Sequence, residues 1–148
     1  MIRAVIAVAA LTLGASVVLA QSDPAAQRQA VMKENGKNQY GVLNRMVRDQ
    51  IPYDQAAVDA ALKHHEDSAK LMPTLWPDTA KNSVPGEYGS TPKIWESKAD
   101  FDAKIAAFAK AIDEAKTKFK DLPSLKANYQ MLNGTCNACH ETYRVKKG

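Results

Sequence analysis

The residues with the most chemistry to offer in this 148-residue chain stand near its end: Cys136-Asn137-Ala138-Cys139-His140. Two thiols three positions apart, followed at once by an imidazole, form the Cys-x-x-Cys-His attachment sequence of c-type haem. On a helix each residue advances by about 100°, so Cys139 falls some 60° to one side of Cys136 and His140 some 40° to the other. One helix face can therefore offer two sulfurs to the vinyl groups and a nitrogen to the iron. A structural zinc site wants four ligands, and only His64 and His65 stand as further candidates. A thioredoxin-like redox pair wants a strand-helix-strand setting, which this sequence does not provide.

A planar cofactor held this way needs rigid helices and a core around it, and the remaining sequence is dominated by helix signals. Asp23-Pro24 opens a first helix that runs to about Arg48, where Ile51-Pro52 stops it. A second opens at Asp54 and fades at Met72-Pro73, with Val58, Leu62, His65, Ala69 and Met72 on its inward stripe. Pro73 to Ser97 reads as a long loop, sealed against the bundle by Trp76 and Trp95. Ser97 with Asp100 resembles a helix-start pairing. The third helix carries Phe101, Ile105, Phe108, Ile112, Ala115 and Phe119 at alternating spacings of four and three. The fourth begins near Asp121-Leu122-Pro123 and continues that spacing through Leu125, Tyr129, Leu132, Cys136, Cys139 and Tyr143. No alternating run signals a strand. The expected fold is all-α: an antiparallel up-down-up-down four-helix bundle with a long loop between helices 2 and 3. Gly134 and Gly36 are read as positions that make room for a flat macrocycle.

The N-terminus reads as a cleaved signal peptide over residues 1–20: Met1-Ile2-Arg3, an uncharged run from Ala4 to Leu19, then polar residues from Gln21. The run is shorter than the roughly 20 residues of a spanning helix, so no stable membrane insertion is expected. Residues 21–148 then form the haem-binding bundle, in the periplasm. The chain carries 20 basic and 16 acidic residues, a formal +4 that export lowers to +3 by removing Arg3. Two propionates would bring this to about +1, a balance that argues against nucleic acid as a partner. Lys116, Lys118 and Lys120 form one basic group, and Arg144, Lys146 and Lys147 another. They read as solvated helix ends, with a docking patch for an acidic redox partner as the alternative.

Whether the second axial position is filled decides the chemistry. In an up-down-up-down bundle the start of the first helix lies level with the end of the fourth. His140 lies about 9 Å from the end of its helix, and Met32 about 12 Å from the start of its own. The levels match. Met46, about 33 Å along, is out of reach, and Met131 shares a helix with His140. Met72 is the competitor, and His64 or His65 a weaker alternative. A His140 and Met32 pair on one haem c would make a one-electron carrier rather than an enzyme, because a thioether favours ferrous iron and no site is left open.

Arg28-Gln29 with Met32 one turn on, Pro52-Tyr53-Asp54, Pro92-Lys93-Ile94-Trp95, and Cys136 to His140 followed by Tyr143-Arg144 together resemble the class II cytochromes c, the cytochrome c′ fold. High-spin members of that family usually place a non-ligating residue where this chain has Met32. The chain resembles instead the low-spin, methionine-ligated cytochrome c-556 type. That resemblance implies Met32 on the iron, Arg28 near the haem edge beside a propionate, and Arg144 near the histidine side. It implies periplasmic redox proteins as electron donor and acceptor, and it allows a homodimer through the first two helices. The alternative function is a high-spin, five-coordinate haem protein that binds NO or CO.

Overall fold

Residues 23–81 and 88–146 are described by a computed structural model of the chain. The expected signal peptide lies outside these residues. The first rod of the bundle is a continuous coil: α1 (Pro24–Gly36), a π-helical run (Lys37–Leu43) and α2 (Asn44–Val47). Asp23 caps it by accepting from Ala25 N at 3.1 Å, with Pro24 in the first turn where no donor is needed. The rod ends as expected, and Asp49 takes the left-handed conformation at φ 56°.

α3 (Gln55–Leu71) starts on Asp54, whose carboxylate accepts from Ala56 N and Ala57 N. α5 (Lys98–Lys118) and α6 (Leu122–Tyr143) complete the bundle. Asp121 and Ser124 form a reciprocal capping box at the start of α6, with Pro123 in its first turn. All five residues of the second stripe and all six of the third are buried. α6 packs along α5, α5 along α3, and α3 along the first rod, which returns to α6 through α2. This closes the ring of a four-helix bundle. Lys126 locks that closure with two 2.7 Å contacts to the Asp49 carboxylate.

The long connection holds more structure than its sequence announces. It contains 3₁₀ turns at Met72–Thr74 and Asp78–Ala80, a strand β1 (Tyr88–Ser90) and a short helix α4 (Lys93–Glu96). β1 pairs antiparallel with β2 (Arg144–Lys146), Gly89 opposite Val145, so two strands exist where none was expected. Both are three residues long, too short for a period-two pattern to show. Beside them Thr91 caps the end of α6, donating from N to Tyr143 O at 3.0 Å and from Oγ1 to Thr142 O at 3.1 Å. The loop is thereby tied to the end of the helix that carries the motif.

The Ser97–Asp100 pairing requires correction. Ser97 sits at the start of α5 without a side-chain capping bond. Asp100 instead accepts from Tyr143 Oη at 2.5 Å, because the bundle brings the end of α6 beside the start of α5. That bond, with burial behind it, raises the Tyr143 phenol to about 12. Of the two basic groups, Lys116 pairs with Glu66 and Asp113, and Lys118 with Glu114, which are the contacts of solvated helix surfaces. Among the described residues no helix is long and apolar enough to cross a membrane.

Candidate haem site

At the end of the bundle where α1 begins and α6 finishes, the rods do not close on one another. A cavity of about 560 Å³ lies between them, within the range of cofactor pockets. The continuous helix of α6 brings Cys136, Cys139 and His140 into its wall together, as their shared arc requires. α1 contributes Arg28, Met32 and Gly36 to the lining, α3 contributes His65, and Met72 enters from the 3₁₀ turn that follows. Arg144 stands at its rim on β2, exposed. All six expected site residues thus line one space. Met46 lies in the fully packed core and Met131 at its edge, and neither lines the cavity.

The two methionines on the cavity differ in surroundings. Met72 is buried within the core, whereas Met32 is half-buried and only packs against the core's edge. Gly36 behaves as its position suggested: it lines the cavity, and a Cβ there would meet nothing within 4 Å. Gly134 does not line the cavity, so the room once assigned to it comes instead from the parting of α1 and α6.

Burial prepares each group on α6. It pushes the His140 imidazole down to about 4, with Arg144 adding to the effect, so the ring is neutral and its lone pair available at physiological pH. Burial raises the Cys136 thiol to about 11 and shifts Cys139 upward as well. The acidified thiolate that a dithiol oxidoreductase needs is the reverse of this. A mostly apolar cleft, partly open to solvent, with two neutral thiols and a neutral imidazole on one wall suits covalently attached haem.

Arg28 is not a solvated helix residue. It is only 6% exposed, donates from Nη1 to Leu75 O at 2.9 Å, and lies with its guanidinium carbon 5.8 Å from the Trp76 ring centre. Trp76 stacks edge-on with Phe101 at 4.8 Å, and Phe101 with Tyr143 at 5.0 Å. This aromatic row closes the cavity beneath the long connection, with Trp76 Nε1 donating to Ser90 Oγ at 3.0 Å. Trp76 was legible as a seal for the loop, but Gln39 and Lys104 were not foreseen on the cavity wall. Gln39 stands in a polar stretch, and only the π-helical turn rotates it inward to 2% exposure.

His65 is fully buried, its ring edge-on to Phe108 at 5.6 Å. Burial, and then neighbouring His64, push it from 6.5 down to about 4. Between those values the unfolded chain binds a proton that the folded chain refuses, so stability falls as the pH drops through this window. His65→Phe is expected to flatten that decline. Thermal midpoints recorded from pH 7 to 4 should fall more steeply for the wild type, and parallel curves would refute the assignment.

A helical bundle with a Cys-x-x-Cys-His wall on a cavity between its helices defines a c-type haem protein of the four-helix class. The chain belongs to the cytochrome c′ family: the family described as Cytochrome C′ matches residues 23–144. It is 49% identical over 150 residues to cytochrome c-556 of Rhodopseudomonas palustris, with both chains covered completely. It is 43% identical over 145 residues to cytochrome c-555 of Bradyrhizobium diazoefficiens, covering 97% of each. Among solved structures, an NMR-validated model of oxidized R. palustris cytochrome c556 matches with a TM-score of 0.77 at 47% identity, covering 86% of this chain and 100% of that one. The resemblance to class II cytochromes c of the c-556 type therefore holds over the whole fold. Family membership implies one covalently attached c-type haem, for which Cys136 and Cys139 have the required spacing.

Proposed function

We propose that this chain is a periplasmic one-electron carrier whose single haem is attached through Cys136 and Cys139, with His140 and Met32 as axial ligands. The observation that carries the reading is that a neutral imidazole from α6 and a half-buried thioether from α1 line the same cavity. When bound, the haem supplies a one-electron couple, and thioether ligation favours its ferrous state. The chain's own part is to bind, hold and insulate. α6 presents both sulfurs and the imidazole from one rigid face. Met32 reaches in from α1 without being consumed by the core. Arg28, fixed by Leu75 O and Trp76, places a buried positive charge on the cavity wall where a propionate can be neutralised. Arg144 offers a second cation on the histidine side.

Export by residues 1–20, with residues 21–148 as the working domain, belongs to this reading, as does its place between larger periplasmic redox proteins. With both axial positions taken, no substrate is chemically transformed. The test is spectroscopic. The oxidised holoprotein is expected to give low-spin visible and electron paramagnetic resonance spectra, with the weak near-infrared band of a sulfur-iron bond, and the reduced form to resist carbon monoxide. A high-spin spectrum with ready uptake of the gas would replace the carrier by a gas-binding protein.

A further inference from the structure

Four basic residues line the cavity, Arg28, Lys33, Lys104 and Arg144, and no carboxylate among the described residues lines it with them. Two propionates would offset two of these charges, so the wall of the loaded site keeps a surplus of positive charge. Lys104, half-buried on α5, carries part of that surplus. Several lysines on the helices meet an acid four residues away, as Lys63 meets Asp67, Lys70 meets Glu66 and Lys98 meets Asp102. Lys104 has such a neighbour in Asp100, but that carboxylate accepts from Tyr143 Oη. No carboxylate among the described residues forms an ion pair with Lys104.

The surroundings of Lys104 identify the edge of the site that it serves. Burial raises the Cys139 thiol and the Lys104 ammonium opposes that rise, so the charge lies near this sulfur. Cys139 is itself half-buried and Asn137 is exposed, so this part of α6 reaches the surface. In haem the propionates leave from the edge opposite the vinyl groups, so attachment at Cys139 keeps them on the far side of the macrocycle from Lys104. The lysine therefore has no carboxylate to meet in the cofactor either. Its stem can lie along an apolar wall while the ammonium stays hydrated. Arg144, whose charge acts on His140 from β2, adds a second cation to the same stretch. Resting on the reading of this chain as a one-electron carrier, we propose that electrons pass through the Cys139 edge of the site and that Lys104 is the docking cation there, meeting a carboxylate on the acidic face of a redox protein. One electron crosses per encounter: the partner's reduced centre loses it and the ferric haem gains it, or the reverse, and no atom is transferred. Charge complementarity of this kind speeds encounter at low salt and is screened beyond about 10 Å at ~0.1 M ionic strength.

Flavodoxin in its hydroquinone form is an acidic one-electron donor and serves as the probe. Its reaction with the oxidised holoprotein is followed by stopped flow at low and high salt for the wild type, Lys104→Gln and Lys120→Gln. The last makes the same change in charge just beyond the far end of α5. Lys104→Gln is expected to slow the reaction several-fold at low salt and to flatten its salt dependence, while Lys120→Gln follows the wild type. Midpoints measured for each variant separate docking from driving force. Carbodiimide coupling, which joins an amine to a carboxylate in contact with it, should link Lys104 to flavodoxin, as read by mass spectrometry. Equal slowing by the two variants, a rate indifferent to salt, or links confined to other lysines overturns the proposal. If the oxidised protein is high-spin yet Lys104→Gln alone slows the reaction, the docking edge stands and the carrier reading falls. A low-spin protein in which Lys104→Gln changes nothing gives the opposite result.

Discussion

Met32→Ala is expected to turn low-spin iron high-spin while the haem stays covalently bound. The thioether is the one bond that this substitution removes from the proposed site, since attachment depends on α6. Loss of a ligand that favours ferrous iron should lower the midpoint potential and admit carbon monoxide to the reduced protein. Axial-ligand choice moves haem potentials over a range of roughly 0.8 V, so the change is expected to be large against ordinary surface substitutions. The half-burial of Met32 keeps the structural cost below that of a core truncation. Met72→Ala provides the contrast: this buried residue should cost about 2–5 kcal/mol of stability and leave the spin state alone. Electron paramagnetic resonance and thermal unfolding of both variants decide the matter. If Met72→Ala yields the high-spin protein and Met32→Ala does not, the axial assignment moves to the turn after α3.

The second large effect concerns attachment. Cys136→Ser should leave haem bound through Cys139 alone, with the pyridine haemochrome band displaced toward that of a single-thioether haem. Replacing both cysteines should leave nothing covalent, and acid-acetone extraction would then strip the colour completely. The structural cost should be small beside this, because serine nearly matches cysteine in size and the hydrogen bond from Cys136 Sγ to Leu132 O is weak at 3.9 Å. Mass spectrometry of each variant after maturation in the periplasm of a host gives the count of links directly. Retention of two thioether links by Cys136→Ser would contradict the site.

The bundle was readable in one dimension because its cause is one-dimensional. Apolar stripes at spacings of three and four name the inward faces of α3, α5 and α6 before any packing is known. Asp23, Asp54 and Asp121 mark the helix starts because a cap is satisfied within three residues of itself. The attachment motif is similarly local: its three reactive side chains share a helix face by arithmetic alone. That Met32 and His140 stand at one level, where both line the cavity, needed only helix rise and the alternation of direction.

Other features depended on which surfaces meet. Asp100 looked like part of a helix start, yet its partner is Tyr143, 43 positions away, which no local pattern can announce. β1 and β2 exist because two three-residue segments find each other across the end of α6, not because either has strand character of its own. Arg28 and Gln39 are polar residues in polar surroundings along the chain. One is buried by Trp76 and Leu75, and the other by a turn of π-helix that alters the register of the first rod. The sequence by itself therefore determined the helices, their inward faces and the placing of Cys136, Cys139 and His140 on one helix face. The tertiary structure decided how the cavity is closed, which polar groups its wall presents and which methionine the core leaves free, because burial and unmet hydrogen bonds belong to surfaces in contact rather than to residues in order.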